Sequence, residues 1–179
     1  IQCEACHGPG SNHILYGGDK TLIFNPAKAT TAKANEVCSQ CHVRVKSVPA
    51  GTYEWPYKDD TGTPWFPGTE AALSTFSTDA AGLWPDGVTS KQHHQQSRDF
   101  DHSSKPTYQF HAVRCTECHD PHRNTTNPHQ LVSSIKDGDL VIPTKHQNNT
   151  LCLACHATHG PFESITKAEV AKYSENVDK

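Results

Sequence analysis

All eight cysteines of the chain fall in one pattern, Cys-x-x-Cys-His, which occurs four times. Two thiols at this spacing can each form a thioether with a vinyl group of one porphyrin, and the histidine that follows can bind the iron. The pattern therefore predicts four covalently attached haem c groups. The predicted attachment residues are Cys3, Cys6, Cys38, Cys41, Cys115, Cys118, Cys152 and Cys155, and the predicted proximal iron ligands are His7, His42, His119 and His156.

Two other chemistries also use paired cysteines. Cys-x-x-Cys pairs bind structural zinc, and a single such pair can act as a redox dithiol. Neither requires a histidine directly after the second cysteine, whereas all four pairs here have one. Haem attachment is therefore the favoured interpretation, and a zinc-stabilised binding module is the alternative, which a colourless purified protein would favour.

The sixth ligand of each iron decides what the haems can do. The chain has no methionine, so the histidine/methionine ligation of high-potential cytochromes is excluded. Nine histidines remain after the four proximal ones, which is enough for bis-histidine ligation of every iron. The candidate distal ligands are, in order, His13, His94, His111 and His122, then His159, His146 and His93, with His102 and His129 last.

Three of these candidates follow a proximal histidine closely in sequence. His122 and His159 come three residues after His119 and His156, and His13 comes six residues after His7. At so short a spacing the ring cannot reach the opposite face of the same haem. Each would have to bind a neighbouring iron, and for His13 that iron could belong to another subunit.

The attachment sites are grouped in two pairs, because the first cysteines are separated by 35, 77 and 37 residues. We expect a single multihaem domain over 1–179, with haem pairs in 1–42 and 111–162, an insertion at 43–110 and a C-terminal helix at 163–179. The insertion holds ten of the fourteen aromatic residues and many prolines and glycines, which predict an extended, looped segment. Its rings, among them Trp55, Trp65, Phe66 and Trp84, either shield haem edges or form a docking face.

Regular structure should be sparse. Residues 33–42 can form a helix that carries the second attachment site, and Thr166 with Glu169 forms a capping-box pattern ahead of a C-terminal helix. Only 34% of the residues are hydrophobic, so we expect the cofactors to supply much of the core. The predicted fold class is mostly irregular with short α-helices and very little β-structure, wrapped around a closely packed haem chain.

Charge and hydropathy limit the partners and the location. The net charge is −3 and haem propionates would make it more negative, which excludes nucleic acid as a partner. No stretch has the length of a transmembrane helix. Because the first residue stands two positions before Cys3, we expect a removed leader or a longer natural chain, and export to the periplasm or the cell exterior. Asn124 and Asn148 begin Asn-x-Thr sequons, which are compatible with glycosylation.

Several strings resemble one group of proteins. They are Cys-Glu-Ala-Cys-His-Gly-Pro-Gly-Ser-Asn-His at 3–13, His-His-Gln-Gln at 93–96, Cys-Thr-Glu-Cys-His-Asp-Pro-His at 115–122 and Asn-Thr-Leu-Cys-Leu-Ala-Cys-His at 149–156. These are similar to exported multihaem c-type cytochromes related to the tetrahaem electron carrier of hydroxylamine oxidation. They are also similar to the tetrahaem and hexahaem cytochromes that polymerise into extracellular conductive filaments.

The resemblance implies a haem chain in alternating stacked and T-shaped pairs, with electron transfer to redox partner proteins or extracellular acceptors. In the filament members a histidine near the N-terminus binds a haem of the adjacent subunit, and His13 matches that position, which implies a homo-oligomer or filament. The expected function is electron transfer by low-spin bis-histidine haems, without catalysis. The alternative is a redox enzyme that acts on a small nitrogen or sulfur compound at one five-coordinate haem.

Overall fold

The computed structural model describes residues 2–43, 45–47, 65–69, 76–78, 82–103, 112–122, 124–137, 139–146, 149–156, 166 and 168–169. The chain divides into two compact units, Ile1–Val113 and Arg114–Lys179. The division falls directly before the third attachment site, so each unit contains one of the two predicted haem pairs. The single multihaem domain stays a prediction.

The helices of the described residues are short. The first unit contains α1 (Glu4–His7), α2 (Ser11–Leu15), α3 (Thr31–His42) and α4 (Gln96–Ser103), and the second contains α5 (Cys115–Cys118) and α6 (Thr150–His156). Single 3-10 turns occur at Lys20–Leu22, Pro26–Lys28 and Pro128–Gln130. From α1 to α3, short connections join these elements.

The longest helix is α3, and it confirms the helix predicted over 33–42. It begins two residues earlier, at Thr31, because the Thr30 hydroxyl accepts a hydrogen bond from the Lys33 backbone N–H at 3.4 Å and caps the first turn. Lys33 also forms an ion pair with Glu36 at 3.4 Å, one turn along the same face. Ala34 and Val37 form the buried face of this helix.

The β-structure of the described residues consists of two antiparallel pairs. β1 (Val45–Ser47) pairs with β2 (Phe76–Thr78), and β3 (Ser134–Asp137) pairs with β4 (Leu140–Pro143). The register of the second pair places Ile135 opposite Ile142. The fold class predicted from the sequence, mostly irregular with short helices and very little β, is confirmed.

The insertion at 43–110 differs from its predicted form, because α4 is a helix of eight residues within it. Between Gly87 and Pro106 the insertion has no proline or glycine, and α4 lies in this stretch. Trp65 is buried, whereas Trp84 is 53% exposed. Trp55 lies outside the described residues, so shielding and docking both stay possible roles for these rings.

The buried apolar core of the described residues is small: Ala34, Val37, Trp65, Ile142 and Ala154. Two of the three largest fully buried side chains, Gln95 and Thr150, are polar. The reciprocal hydrogen bonds of the predicted capping box join Thr166 and Glu169. Ala168 and Glu169 are helical, and the rest of the predicted C-terminal helix lies outside the described residues. Within the described part of the chain, no helix is both long and apolar enough to span a membrane.

Candidate haem-binding sites

Each Cys-x-x-Cys-His motif lies on one short helix or at its ends. Cys3 is the N-cap of α1, both cysteines of the second site lie in α3, α5 runs from Cys115 to Cys118, and α6 contains the fourth motif. One helical turn places the two cysteines of a site on the same face. None of the seven cysteines with described side chains forms a disulfide. The side chains of Cys155 and His156 lie outside the described set.

At the first site, the proximal histidine is held by Phe24. The His7 ring nitrogen Nδ1 lies 2.8 Å from the Phe24 carbonyl oxygen, and the Phe24 N–H donates to the His7 carbonyl at 3.0 Å. A carbonyl only accepts, so Nδ1 carries the proton. This tautomer leaves Nε2 as the nitrogen that would hold an iron, and the hydrogen bond at Nδ1 would make the imidazole a stronger electron donor to it.

The third site repeats this arrangement with a different segment. Nδ1 of His119 lies 2.9 Å from the His129 carbonyl oxygen. The Asp120 N–H donates to the Gln130 carbonyl, and the Val132 N–H donates to the Cys118 carbonyl. The histidine is therefore fixed by backbone groups of the chain that follows it.

At the second site, a side chain holds the proximal histidine. Nδ1 of His42 lies 3.0 Å from the Gln96 side-chain carbonyl oxygen. The His94 ring lies beside His42, with ring centroids 6.3 Å apart and planes tilted by 40°. The His93 ring contacts His94 edge-on at 4.5 Å, and their Nδ1 atoms form a short contact. His94 has a φ of 61°, in the left-handed region that costs a non-glycine residue about 1–2 kcal/mol.

The residues between the cysteines anchor the first two sites. Gln40 Nε2 donates to the Ala5 carbonyl at 2.6 Å, which joins the second motif to the first. Ser39 Oγ donates to Ser97 Oγ at 2.7 Å and so joins the second motif to α4. Burial raises the pKa of the Cys6 thiol, and charge on the nearby Cys41 and Cys3 thiols raises it further.

The candidate distal ligand His13 lies in α2. Its Nδ1 lies 2.8 Å from the Asp19 carbonyl oxygen, which is the same orientation of the imidazole as in the proximal histidines. The residues that follow it, Ile14, Leu15 and Tyr16, are 77%, 74% and 66% exposed. An imidazole next to exposed apolar side chains fits the face of a porphyrin, which is apolar around its iron.

The other candidates are placed as follows. The His122 backbone N–H donates to Asp120 Oδ1. The ring centroids of His146 and His129 lie 5.3 Å apart. His146 was a candidate distal ligand, whereas His129 was among the two histidines ranked last. His111 and His159 lie outside the described residues, as does the side chain of His102.

The fourth site is supported by apolar packing. Ala154, between the two cysteines of this motif, is buried against Ile142 of β4, with Leu153 packed beside them. Thr150, at the start of α6, is fully buried. The helix that carries this motif is therefore fixed by contacts of the second unit itself.

Two further features fit haem. Both amide atoms of the buried Gln95 side chain, between His94 and Gln96, have no hydrogen-bond partner among the described residues. Buried polar atoms are normally satisfied, so a polar group of a cofactor or a water molecule is expected beside this amide. A cleft of about 730 Å³ borders His7 and combines the aromatic rings of Phe24 and Phe66 with the ammonium groups of Lys20 and Lys28. Such a lining suits an apolar ring that carries carboxylates.

Zinc was the alternative interpretation of the cysteine pairs. Among the described residues, no group of three or more His, Cys, Asp or Glu side chains converges as a metal site. Structural zinc sites use four such ligands.

Sequence reasoning missed the residues that orient the proximal histidines. Phe24 and His129 act through backbone carbonyls, which have no signal in the sequence. Gln96 could have been suspected, because it follows two histidines and can accept a hydrogen bond. Gln40 occupies a spacer position that the motif leaves variable.

Residues 110–161 match the family described as "Doubled CXXCH motif". This match and the four attachment motifs support a multihaem c-type cytochrome that binds haem c. A curated relative is the multiheme cytochrome MtrA of Shewanella baltica (strain OS185), with 28% identity over 167 residues, or 88% of this chain. The chain spans 42% of the length of that relative. No solved structure gives a significant match.

Proposed function

We propose that the chain is an electron-transfer protein that binds four haem c groups, each with two axial histidines, and that it catalyses no reaction of its own. When bound, haem supplies the redox-active iron. The proposal is carried by the relation between His42 and His94, whose ring centroids are 6.3 Å apart.

This separation matches what two axial imidazoles on one iron require. Metal–imidazole bonds of about 2 Å, extended to the ring centres, place the centroids about 6 Å apart. Nδ1 of His42 is directed to Gln96, and Nδ1 of His94 contacts His93. In both rings Nε2 is therefore the nitrogen suited to the iron. We assign His94 as the distal ligand of the second haem.

The hydrogen bonds at Nδ1 also bear on the redox potential. An imidazole that donates from Nδ1 is a stronger electron donor to the metal and stabilises the ferric state. His7, His42 and His119 all make this contact with an oxygen acceptor. Together with bis-histidine ligation, it supports haems of low potential.

The remaining irons need further ligands. His7, His119 and His156 are the proximal ligands of the first, third and fourth haems in this proposal. Their distal ligands come from His13, His111, His122, His146 and His159, and His13 binds a haem other than its own. The oriented ring of His13 and the exposed apolar side chains beside it support that role.

Location and assembly are part of the proposal. We place the protein outside the cytoplasmic membrane, in the periplasm or at the cell exterior, where it exchanges electrons with redox partner proteins or extracellular acceptors. The exposed Ile14, Leu15 and Tyr16 support an assembly in which His13 binds a haem of a neighbouring copy. Negative-stain images of native material that show only monomers would count against a filament.

The decisive experiment is spectroscopy of the holoprotein. Electron paramagnetic resonance of the oxidised protein should show low-spin ferric haem only, with four haems per chain by haemochrome assay and mass spectrometry. Cyanide and nitric oxide should leave the spectrum unchanged. A stoichiometric high-spin signal that responds to these ligands would instead indicate an open iron and a redox enzyme acting on a small nitrogen or sulfur compound.

A further inference from the structure

Gln40 joins the helices that carry the first two haem sites. Its Nε2 donates to the Ala5 carbonyl of α1 at 2.6 Å and to the Val37 carbonyl of its own helix, α3, at 2.7 Å. A primary amide has two N–H hydrogens, so both are used. The bond to Val37 holds the side chain against α3, and the bond to Ala5 reaches across to α1.

The Ala5 carbonyl is a natural acceptor for this contact. Carbonyl groups in the last turn of a helix have no partner within it. The residue four positions after Ala5 is Pro9, which has no N–H to donate. Gln40 therefore supplies a hydrogen bond that the backbone of α1 cannot make.

The contact lies directly beside the attachment cysteines. Ala5 precedes Cys6 and Gln40 precedes Cys41, so the bond joins the second spacer residue of one motif to the second spacer residue of the other. The thioethers at Cys6 and Cys41 would fix one edge of each porphyrin next to this bond.

The opposite side of the second motif is fixed as well. Ser39 donates to Ser97 in α4 and lies 3.0 Å from the Asn35 carbonyl, and both serines are buried. The second motif is therefore held by its first spacer residue to α4 and by its second spacer residue to α1. Movement of one attachment helix against the other would break the Gln40 bond.

From this geometry we infer that Gln40 is a positioning residue that sets the separation and orientation of the first two haems. The inference rests on the proposed function insofar as this separation controls electron transfer between them. Gln40 acts through its hydrogen bond to Ala5 and so through the position of α1.

The test compares holoprotein variants. Gln40→Glu keeps the size of the side chain and replaces the donor by a carboxylate facing two carbonyl oxygens. Gln40→Met removes the donor without adding charge. Gln2→Glu is the matched control, because it makes the same chemical change at an exposed glutamine one residue before Cys3.

Two readouts are needed. Dipolar electron paramagnetic resonance gives the iron–iron separation of the first two haems, and exchange spectroscopy by nuclear magnetic resonance gives the electron exchange rate between them. We expect both Gln40 variants to keep four low-spin haems, to show a longer or broader separation and to exchange electrons more slowly. Gln2→Glu should match the unmodified protein in both.

Three outcomes would overturn the inference. The first is an unchanged iron–iron separation in both Gln40 variants, and the second is an equal change of this separation in Gln2→Glu. The third is loss of haem from both Gln40 variants, because Gln40 would then act in haem attachment. The iron–iron separation reports on Gln40 independently of the proposed function. An open iron in the unmodified protein would end the electron-carrier proposal and leave this measurement valid.

Discussion

The imidazole rings of His42 and His94 lie with their centroids 6.3 Å apart and their planes tilted by 40°. His93, His94 and Gln96 come from one segment of four residues. Within it, His94 supplies the proposed distal ligand, His93 contacts that ligand, and Gln96 orients the proximal ligand on α3. In the proposed arrangement, residues 93–96 would therefore act as one unit around the second haem.

Replacing His94 should open one iron. We expect His94→Ala to convert one haem per chain from low spin to high spin, because His42 would remain as the only protein ligand. Added imidazole should restore the low-spin spectrum. Gln92→Ala, at an exposed residue two positions earlier, is the control and should have no effect. A fully low-spin His94→Ala protein would show that another residue binds this iron.

The acceptor at Gln96 should tune the potential of the second haem. Gln96→Ala removes the partner of His42 Nδ1, so the ferric state loses stabilisation and the potential should rise. A hydrogen bond of about 1 kcal/mol corresponds to about 40 mV for one electron. Gln96→Glu offers a stronger acceptor and should lower the potential. Spectroelectrochemistry measures both, and shifts of the same sign in the two variants would contradict this role.

The role of His13 can be separated from that of its helix. We expect His13→Ala to give a high-spin haem, whereas Asn12→Ala, at an exposed neighbour in α2, should not. Sedimentation velocity then shows where the haem belongs. Loss of assembly in His13→Ala indicates that His13 binds a haem of a second copy. An unmodified protein that is monomeric and fully low spin indicates that His13 binds a haem of its own chain. A His13→Ala protein that stays low spin and assembles normally would remove the assignment.

Ile142 should carry much of the stability around the fourth site. Its side chain is fully buried against Ala154, whereas Val141, the preceding residue of β4, is 48% exposed. We expect Ile142→Ala to lower the free energy of unfolding by about 2–4 kcal/mol through loss of apolar contacts and the cavity left behind. Val141→Ala should change it by about 0.5 kcal/mol or less. Urea titration of the holoproteins compares the two, and equal effects would contradict the packing described.

Gly68 should be essential to the first site. It has a φ of 86°, and a Cβ there would lie 2.5 Å from Phe24 Cδ2. Gly68→Ala should therefore displace Phe24, whose carbonyl orients His7, and alter the axial spectrum of the first haem. Gly87→Ala is a close control, because Gly87 has a φ of 70° and an added Cβ meets nothing within 4 Å. Equal spectral changes in the two variants would mean that the positive φ, and not the contact with Phe24, causes the effect.

The local part of this architecture could be predicted from the sequence. The spacing of Cys38 and Cys41 on one helical turn placed α3 correctly to within two residues, and the sparse β-structure followed from composition and turn residues. The Thr166–Glu169 contact was also foreseen, since a capping box depends only on residues three apart.

The contacts between distant segments could not be predicted. His7 is oriented by Phe24, 17 residues later, and His42 by Gln96, 54 residues later. Tertiary packing, which leaves no periodic signal in the sequence, creates such pairs. The contact of His119 with the His129 backbone carbonyl is a further example.

The type of acceptor at each proximal histidine has an evolutionary consequence. His7 and His119 donate to backbone carbonyls, and every residue type provides a carbonyl, so substitution at Phe24 or His129 leaves the acceptor in place. His42 donates to the side chain of Gln96, which a single codon change can replace. Among the three predicted proximal histidines with described side chains, a point mutation of the acceptor residue itself can thus remove the hydrogen bond only at His42.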